Sequence, residues 1–217
     1  MMDIELNETE ARVLGCLIEK DMATPEYYPL SLNGLQNACN QKSNRNPVVS
    51  YDEQTMVLAL DGLKEKRLAW QSDVGRVPKY AHQVEKKFNL VARESAIICL
   101  LLLRGPQTVG ELRGRSGRLY AFRELSEVVE TLQSLKEMGL VKKMPRQPGR
   151  KEFRYAHLLS GEPEMPEGGG AAVPENATIQ VRADNERVAA LEKEVELLRG
   201  ALEELKQSFI DFKGQFE

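Results

Sequence analysis

The 217-residue sequence has no run of about 20 apolar residues, the length a helix needs to cross a bilayer core. Its longest apolar stretch, Ile97 to Leu103, is too short for that. The N-terminus (MMDIELNETEARVL) lacks basic residues ahead of an apolar segment, so no secretory signal is expected and the cytoplasm is the expected compartment. Histidine is scarce, with only His82 and His157. The three cysteines, Cys16, Cys39 and Cys99, stand far apart without a CxxC pair or a Cys/His cluster. They read as buried, reduced thiols, and no metal site is expected. No nucleophile elbow, HExxH or strand-to-helix phosphate loop is present. The glycines of Gly114-Arg115-Ser116-Gly117-Arg118 lie between two predicted helices. These absences predict a chain that is not an enzyme and carries no cofactor.

What is there is a soluble composition with an uneven charge. Hydrophobic residues make up 41% and charged residues 29%, enough apolar material for a core. The formal net charge is -3. Residues 1–90 hold 11 basic and 13 acidic side chains, residues 91–160 hold 13 and 7, and residues 161–217 hold 6 and 13. A net +6 middle beside a net -7 tail places any polyanion contact in the middle.

Periodicity orders the first 90 residues. Asn7 and Glu10 are spaced as a capping box ahead of the apolar stripe Val13, Leu14, Leu17 and Ile18. Pro25 and Pro29 break the chain, and Ser31 can cap a short helix through Leu35 and Ala38. A polar loop from Asn40 to Pro47 follows. Ser50 with Glu53 reads as the next capping box, for a helix carrying Met56, Val57, Leu60 and Leu63. Leu68-Ala69-Trp70 and Lys79-Tyr80-Ala81-His82 then form a hairpin around a turn at 72–78.

The order recurs about 75 residues on. Glu94 to Leu103 is a helix, and Thr108 with Glu111 caps a short one. Gly114 to Phe122 is a basic loop. Leu125, Val128, Val129, Leu132 and Leu135 lie at helical spacing, ended by Gly139. Val141 to Met144 and Lys151 to His157 form the second hairpin. Leu68, Trp70 and Tyr80 are the expected anchors of the first hairpin, and Val141, Phe153 and Tyr155 of the second. Three helices and a two-stranded hairpin are the plan of a winged helix. The expected fold is thus mainly α with small β-hairpins (α+β): two tandem winged-helix domains at 1–90 and 91–160.

Residues 161–183 are rich in Gly, Pro and Glu and read as a flexible linker. In residues 184–217, Val188, Leu191, Val195, Leu198, Leu202 and Leu205, then Phe209 and Phe212, alternate in steps of three and four. That is a heptad seam, and a coiled-coil homodimer is expected. In parallel register Arg187 would meet Glu192, and Glu194 would meet Arg199, both attractive.

Tyr28-Pro29-Leu30-Ser31-Leu32-Asn33-Gly34-Leu35, followed by Ala38-Cys39-Asn40-Gln41-Lys42-Ser43-Asn44-Arg45 and Pro47-Val48, is similar to the signature of the bacterial YceH-like proteins. The resemblance covers roughly residues 5–160. It implies a tandem winged-helix fold of unknown function and brings no catalytic residues with it.

Winged helices that bind DNA set their third helix in the major groove and hold phosphates from neighbouring loops. The candidate phosphate contacts of the first copy are Lys42 and Arg45 before the third helix, with Arg76 and Lys79 at the wing. Those of the second are Arg113, Arg115, Arg118 and Arg123 before the helix, with Arg146, Arg150, Lys151 and Arg154 at the wing. Against base reading, the third helices open with acids: Asp52, Glu53 and Asp61 in one, Glu124, Glu127 and Glu130 in the other. Early acids suit the helix dipole but repel phosphate. Two readings follow. One is a dimeric, transcription-regulator-like protein that meets double-stranded DNA through wings and pre-helix loops. The other is a scaffold whose acidic helices bind a protein partner. His82 and His157, at the ends of equivalent strands, read as a repeated structural position rather than a paired metal site.

Overall fold

The computed structural model describes residues 4–72, 74–146 and 152–163. The first helix, α1 (Glu8–Ala23), begins at the expected capping box: Glu10 N–H donates to the Asn7 side chain at 2.8 Å, and Asn7 N–H to the Glu10 carboxylate at 2.9 Å. A 3-10 turn (Pro25–Tyr27) leads into β1 (Leu30–Ser31), and the Ser31 hydroxyl caps α2 (Leu32–Cys39) at Gly34 N–H. The third helix, α3 (Glu53–Glu65), is capped by Asp52, which accepts from Thr55 N–H at 2.8 Å, and not by Ser50. The cause is tertiary. The Asn40 side chain binds both the N–H and the carbonyl of Tyr51, at 2.8 and 2.9 Å, and delays the helix by two residues. Strands β2 (Ala69–Ser72) and β3 (Lys79–His82) then form the first hairpin, followed by a short α4 (Val84–Phe88).

The second set runs α5 (Ala92–Arg104), α6 (Val109–Arg115), α7 (Leu125–Glu137), β4 (Val141–Lys143) and β5 (Tyr155–His157). Thr108 and Glu111 exchange the expected capping bonds at the start of α6. Both hairpins are antiparallel and share a register: Ala69 faces His82 as Val141 faces His157. The first sheet has the order β1-β3-β2, with Leu30 beside Tyr80. At the corresponding place in the second, Gln107 bridges Tyr155. Helices α3 and α7 also end alike. Leu68 N–H returns to Leu63 O and Leu140 N–H to Leu135 O, with the intervening Arg67 and Gly139 at φ 57° and 72°. That is a Schellman cap in both copies.

The core centres on α1 and α5. Residues 10–18 of α1 and 94–103 of α5 are all buried, with no solvent face. A helix apolar on one side only would bury a stripe, so burial all round means packing on two sides. Each helix lies on its own α2/α3 or α6/α7 set and also on the other: the Cys99 thiol donates to Gly15 O at 3.4 Å. Gly15 marks the closest approach, since a Cβ there would fall 2.9 Å from Leu103 Cδ2 and 3.1 Å from Leu102 Cβ. The two element sets therefore share one core within a single unit, Met1–Met165. The second unit, Pro166–Glu217, lies outside the described residues, and with it most of the expected linker and the whole coil seam. Of the expected hairpin anchors Leu68, Tyr80 and Val141 are buried, whereas Trp70 is 42% exposed and does not act as one. Among the described residues no helix is long and apolar enough to cross a membrane.

Candidate nucleic-acid interface

The twelve basic candidates separate by environment. Arg45 is withdrawn from the surface, with a fully buried side chain. Its guanidinium holds Glu19 at 3.0 and 2.5 Å and also donates to Ala38 O, Asn44 O and Gln41. Arg154 is likewise committed, donating to Glu111 at 3.0 and 3.3 Å and to Pro106 O at 2.7 Å. Arg115 sits on α6 and donates to Gln107 at 2.9 Å, 3.8 Å from the same Glu111. These three tie loops to helices inside the unit and offer phosphate little.

Lys42, Arg76, Lys79, Arg113, Arg118, Arg123 and Arg146 are exposed. Arg113 lies on α6 and donates to the Arg123 carbonyl at 2.8 Å, while Arg115, expected in the loop from Gly114 to Phe122, is the last residue of that helix. That bond brings the end of α6 to the segment before α7. At the second hairpin Lys143 Nζ lies 3.8 Å and the Arg146 guanidinium 4.7 Å from the centre of the Phe153 ring. A cation over an aromatic face is held in place yet keeps its charge toward solvent. Sequence reasoning missed Lys143 as a basic candidate; two lysines on β4 opposite an aromatic are the signal that could have found it. Arg150 and Lys151 lie outside the described residues.

The acids of the third helices have mostly local work. Asp52 caps α3, and bonds from Thr55 hold its carboxyl below the usual range. Glu127 accepts from Arg123 N–H, and Asp61 pairs with Lys64 at 2.8 Å. Between the acids the outer faces are apolar. Val57 and Leu58 on α3 are 39% and 66% exposed, and Leu125 and Val129 on α7 are each 47% exposed.

The two histidines end equivalent strands in unlike surroundings. His82 Nε2 lies 3.0 Å from Asp21, and burial keeps its pKa low against that carboxylate's pull. Among the described residues His157 has no carboxylate partner, and burial pushes its pKa down to about 4. Among the described residues no three His, Cys, Asp or Glu side chains are grouped to hold a metal. All three cysteines are buried and unbridged.

The protein-family model described as "Protein of unknown function, DUF480" matches residues 6–150. The chain is 54% identical over 219 aligned positions to a UPF0502 protein of Geobacter sulfurreducens, covering the whole of both chains. It is 53% identical over 219 positions to one of Geotalea uraniireducens, again over both full lengths. A UPF0502 protein of Solibacter usitatus is 51% identical over 209 positions, covering 96% of this chain and all of that relative. The matched segment holds every helix just described and every strand except β5, and on that ground the chain belongs to the DUF480 family, whose function its own description leaves open.

Proposed function

We propose that this chain is a tandem winged-helix, transcription-regulator-like protein that meets double-stranded DNA through the second repeat. In this reading it works in the cytoplasm as a homodimer joined by the heptad seam of residues 184–217, and it performs no catalysis. The repeated order of three helices and a hairpin, with matching caps and register, supports the fold. One observation carries the function. Arg113, Arg118, Arg123, Lys143 and Arg146 are exposed, and among the described residues none has a carboxylate within 4.0 Å. Unpaired cations on a pre-helix loop and a wing are what phosphate contact requires. The acidic and apolar faces of α3 and α7 suit a groove poorly, so backbone contact dominates and sequence preference is weak.

The test is a salt titration of binding to random-sequence duplex. Replacing Arg118, Lys143 and Arg146 by alanine should reduce the slope of log K against log salt by about 0.9 for each phosphate no longer neutralised, close to 3 in all. Wild-type protein that fails to bind at low salt would refute this and favour a scaffold reading. That alternative rests on Val57 and Val129, exposed at equivalent places on α3 and α7 among acids. The seam is tested by light scattering with and without residues 184–217. The full chain should have the mass of a dimer and the truncated chain that of a monomer, and a truncated protein that is still dimeric, or a full chain that is monomeric, removes the seam-joined dimer from the proposal.

A further inference from the structure

Two buried polar side-chain atoms among the described residues have no hydrogen-bond partner, His157 Nδ1 and Arg12 Nε. Arg12 belongs to a cluster that also holds a pair of thiols. Cys16 on α1 and Cys39, the last residue of α2, are both fully buried, and their side chains share a hydrogen bond. The contacts around them fix that pairing. One turn before Cys16, the Arg12 guanidinium donates to Cys39 O at 3.4 Å and to Pro47 O at 2.5 Å. Three residues after Cys16, Glu19 holds Arg45, which also donates to Ala38 O at 3.0 Å. Residues 12, 16 and 19 lie on one face of α1, and that face meets the end of α2.

The charges of this cluster are unequal. Arg45 has the Glu19 carboxylate at 2.5 Å, whereas among the described residues no carboxylate lies within 4.0 Å of Arg12. A buried cation without a counter-charge is strongly destabilising, and a thiolate at Cys16 supplies one. Burial pushes the Cys16 thiol up, but the hydrogen bond from Cys39 and the charges of Arg45 and Arg12 outweigh burial and Glu19 together, so its pKa falls below the usual thiol value. Cys39 is pushed up by that same bond and by burial, and it stays a thiol. Cys99 is the contrast within the chain. It is fully buried, its Sγ donates to Gly15 O at 3.4 Å, and burial holds its pKa well above the usual value.

We propose that Cys16 and Cys39 form a redox pair that a hydroperoxide converts to an intramolecular disulfide, with Cys16 as the attacking sulfur and Cys39 as the resolving one. The Cys16 thiolate attacks one peroxide oxygen. An S–O bond forms, the O–O bond breaks, and the leaving oxygen takes a proton from water, which leaves a sulfenic acid on Cys16. The Cys39 sulfur then displaces that oxygen. The S–S bond forms, the S–O bond breaks, and hydroxide departs with the Cys39 proton as water. Two thiols have lost two electrons, and the peroxide has gained them. A dithiol reverses the step by exchange, releasing both thiols and becoming a disulfide itself. Closing the bond brings the sulfurs to about 2.05 Å, and the required shift falls on the end of an eight-residue helix. Because both thiols are buried, the peroxide reaches them when α2 opens locally from α1.

Peptide mapping tests this. The full chain is treated with hydrogen peroxide, denatured and alkylated without reductant, then digested. Two of the three thiols should be lost to alkylation, in one disulfide-linked pair of peptides carrying Cys16 and Cys39, while Cys99 is alkylated. Dithiothreitol added before alkylation should restore all three. In Cys39→Ser the sulfenic acid has no resolving thiol, so dimedone should label Cys16. In Cys16→Ser the attacking sulfur is gone, and Cys39 should escape oxidation. Three alkylated thiols after peroxide, or a linkage that includes Cys99, would overturn the proposal. So would dimedone spread equally over Cys16 and Cys99 in Cys39→Ser. If the serine variants do not fold, the wild-type map decides the matter.

Discussion

Replacing Gly15 by leucine puts a four-carbon side chain where the α1 backbone meets α5. A Cβ alone would sit 2.9 Å from Leu103 Cδ2 and 3.1 Å from Leu102 Cβ. The first of these atoms can swing aside; the second moves only with the α5 backbone. Leucine therefore forces the helices apart, and overpacking of this kind costs about 3 kcal/mol. Intrinsic helix propensity acts the other way and favours leucine over glycine by less than about 1 kcal/mol. The net loss of about 2–3 kcal/mol corresponds to a Tm lower by about 4–12 °C for a chain of this size. Scanning calorimetry reads it, with Gly114→Ala as the control. Nothing stands within 4 Å of a Cβ at Gly114, so that variant should gain about 0.5 kcal/mol or be neutral. The sign is the point. Two sets connected only by the chain would leave Gly15 facing water, and leucine would then be neutral or stabilising. A Gly15→Leu protein with an unchanged or raised Tm refutes the shared core.

The sequence was legible where the physics is local. Asn7 with Glu10, Ser31 with Gly34 and Thr108 with Glu111 lie three residues apart, and each caps the helix its spacing implies. Ser50 failed for a non-local reason, since Asn40, eleven residues before Tyr51, holds both backbone polar groups of that residue outside the helix. The basic candidates divide the same way. Arg45 stands in a polar loop and reads as surface, yet Glu19, 26 positions away, draws it inside. Arg154 is bound by Glu111, 43 positions away. No window shorter than those separations contains the partner. The shared core did leave a trace. Ile97 to Leu103 is apolar without interruption, and a helix with no polar face has no side left for water. Strand β1 and helix α4, of two and five residues, are too short to carry a periodicity.

Arg67 holds a left-handed conformation, φ 57°, where its counterpart is Gly139 at φ 72°. Arg67→Gly should therefore raise stability by up to about 1 kcal/mol in urea unfolding, and a drop in stability would mean that the arginine side chain contributes packing the cap geometry does not reveal. His157 gives a pH-dependent expectation. Burial lowers its folded-state pKa to about 4, while the unfolded chain has the ordinary value near 6.5. Between those values the unfolded state binds the extra proton, so stability falls as pH falls through the window and is fully present above it. The decrease due to this residue is at most about 3 kcal/mol. His82 has a pKa shifted in the same direction, so the wild-type profile alone does not isolate His157. The comparison with His157→Gln does, because His82 is common to both. The stability of the wild type relative to that variant should decline from pH 7 to pH 4.5. A difference that stays constant across that range would mean the ring is hydrated in the folded state, and the unpartnered Nδ1 would then be in contact with water.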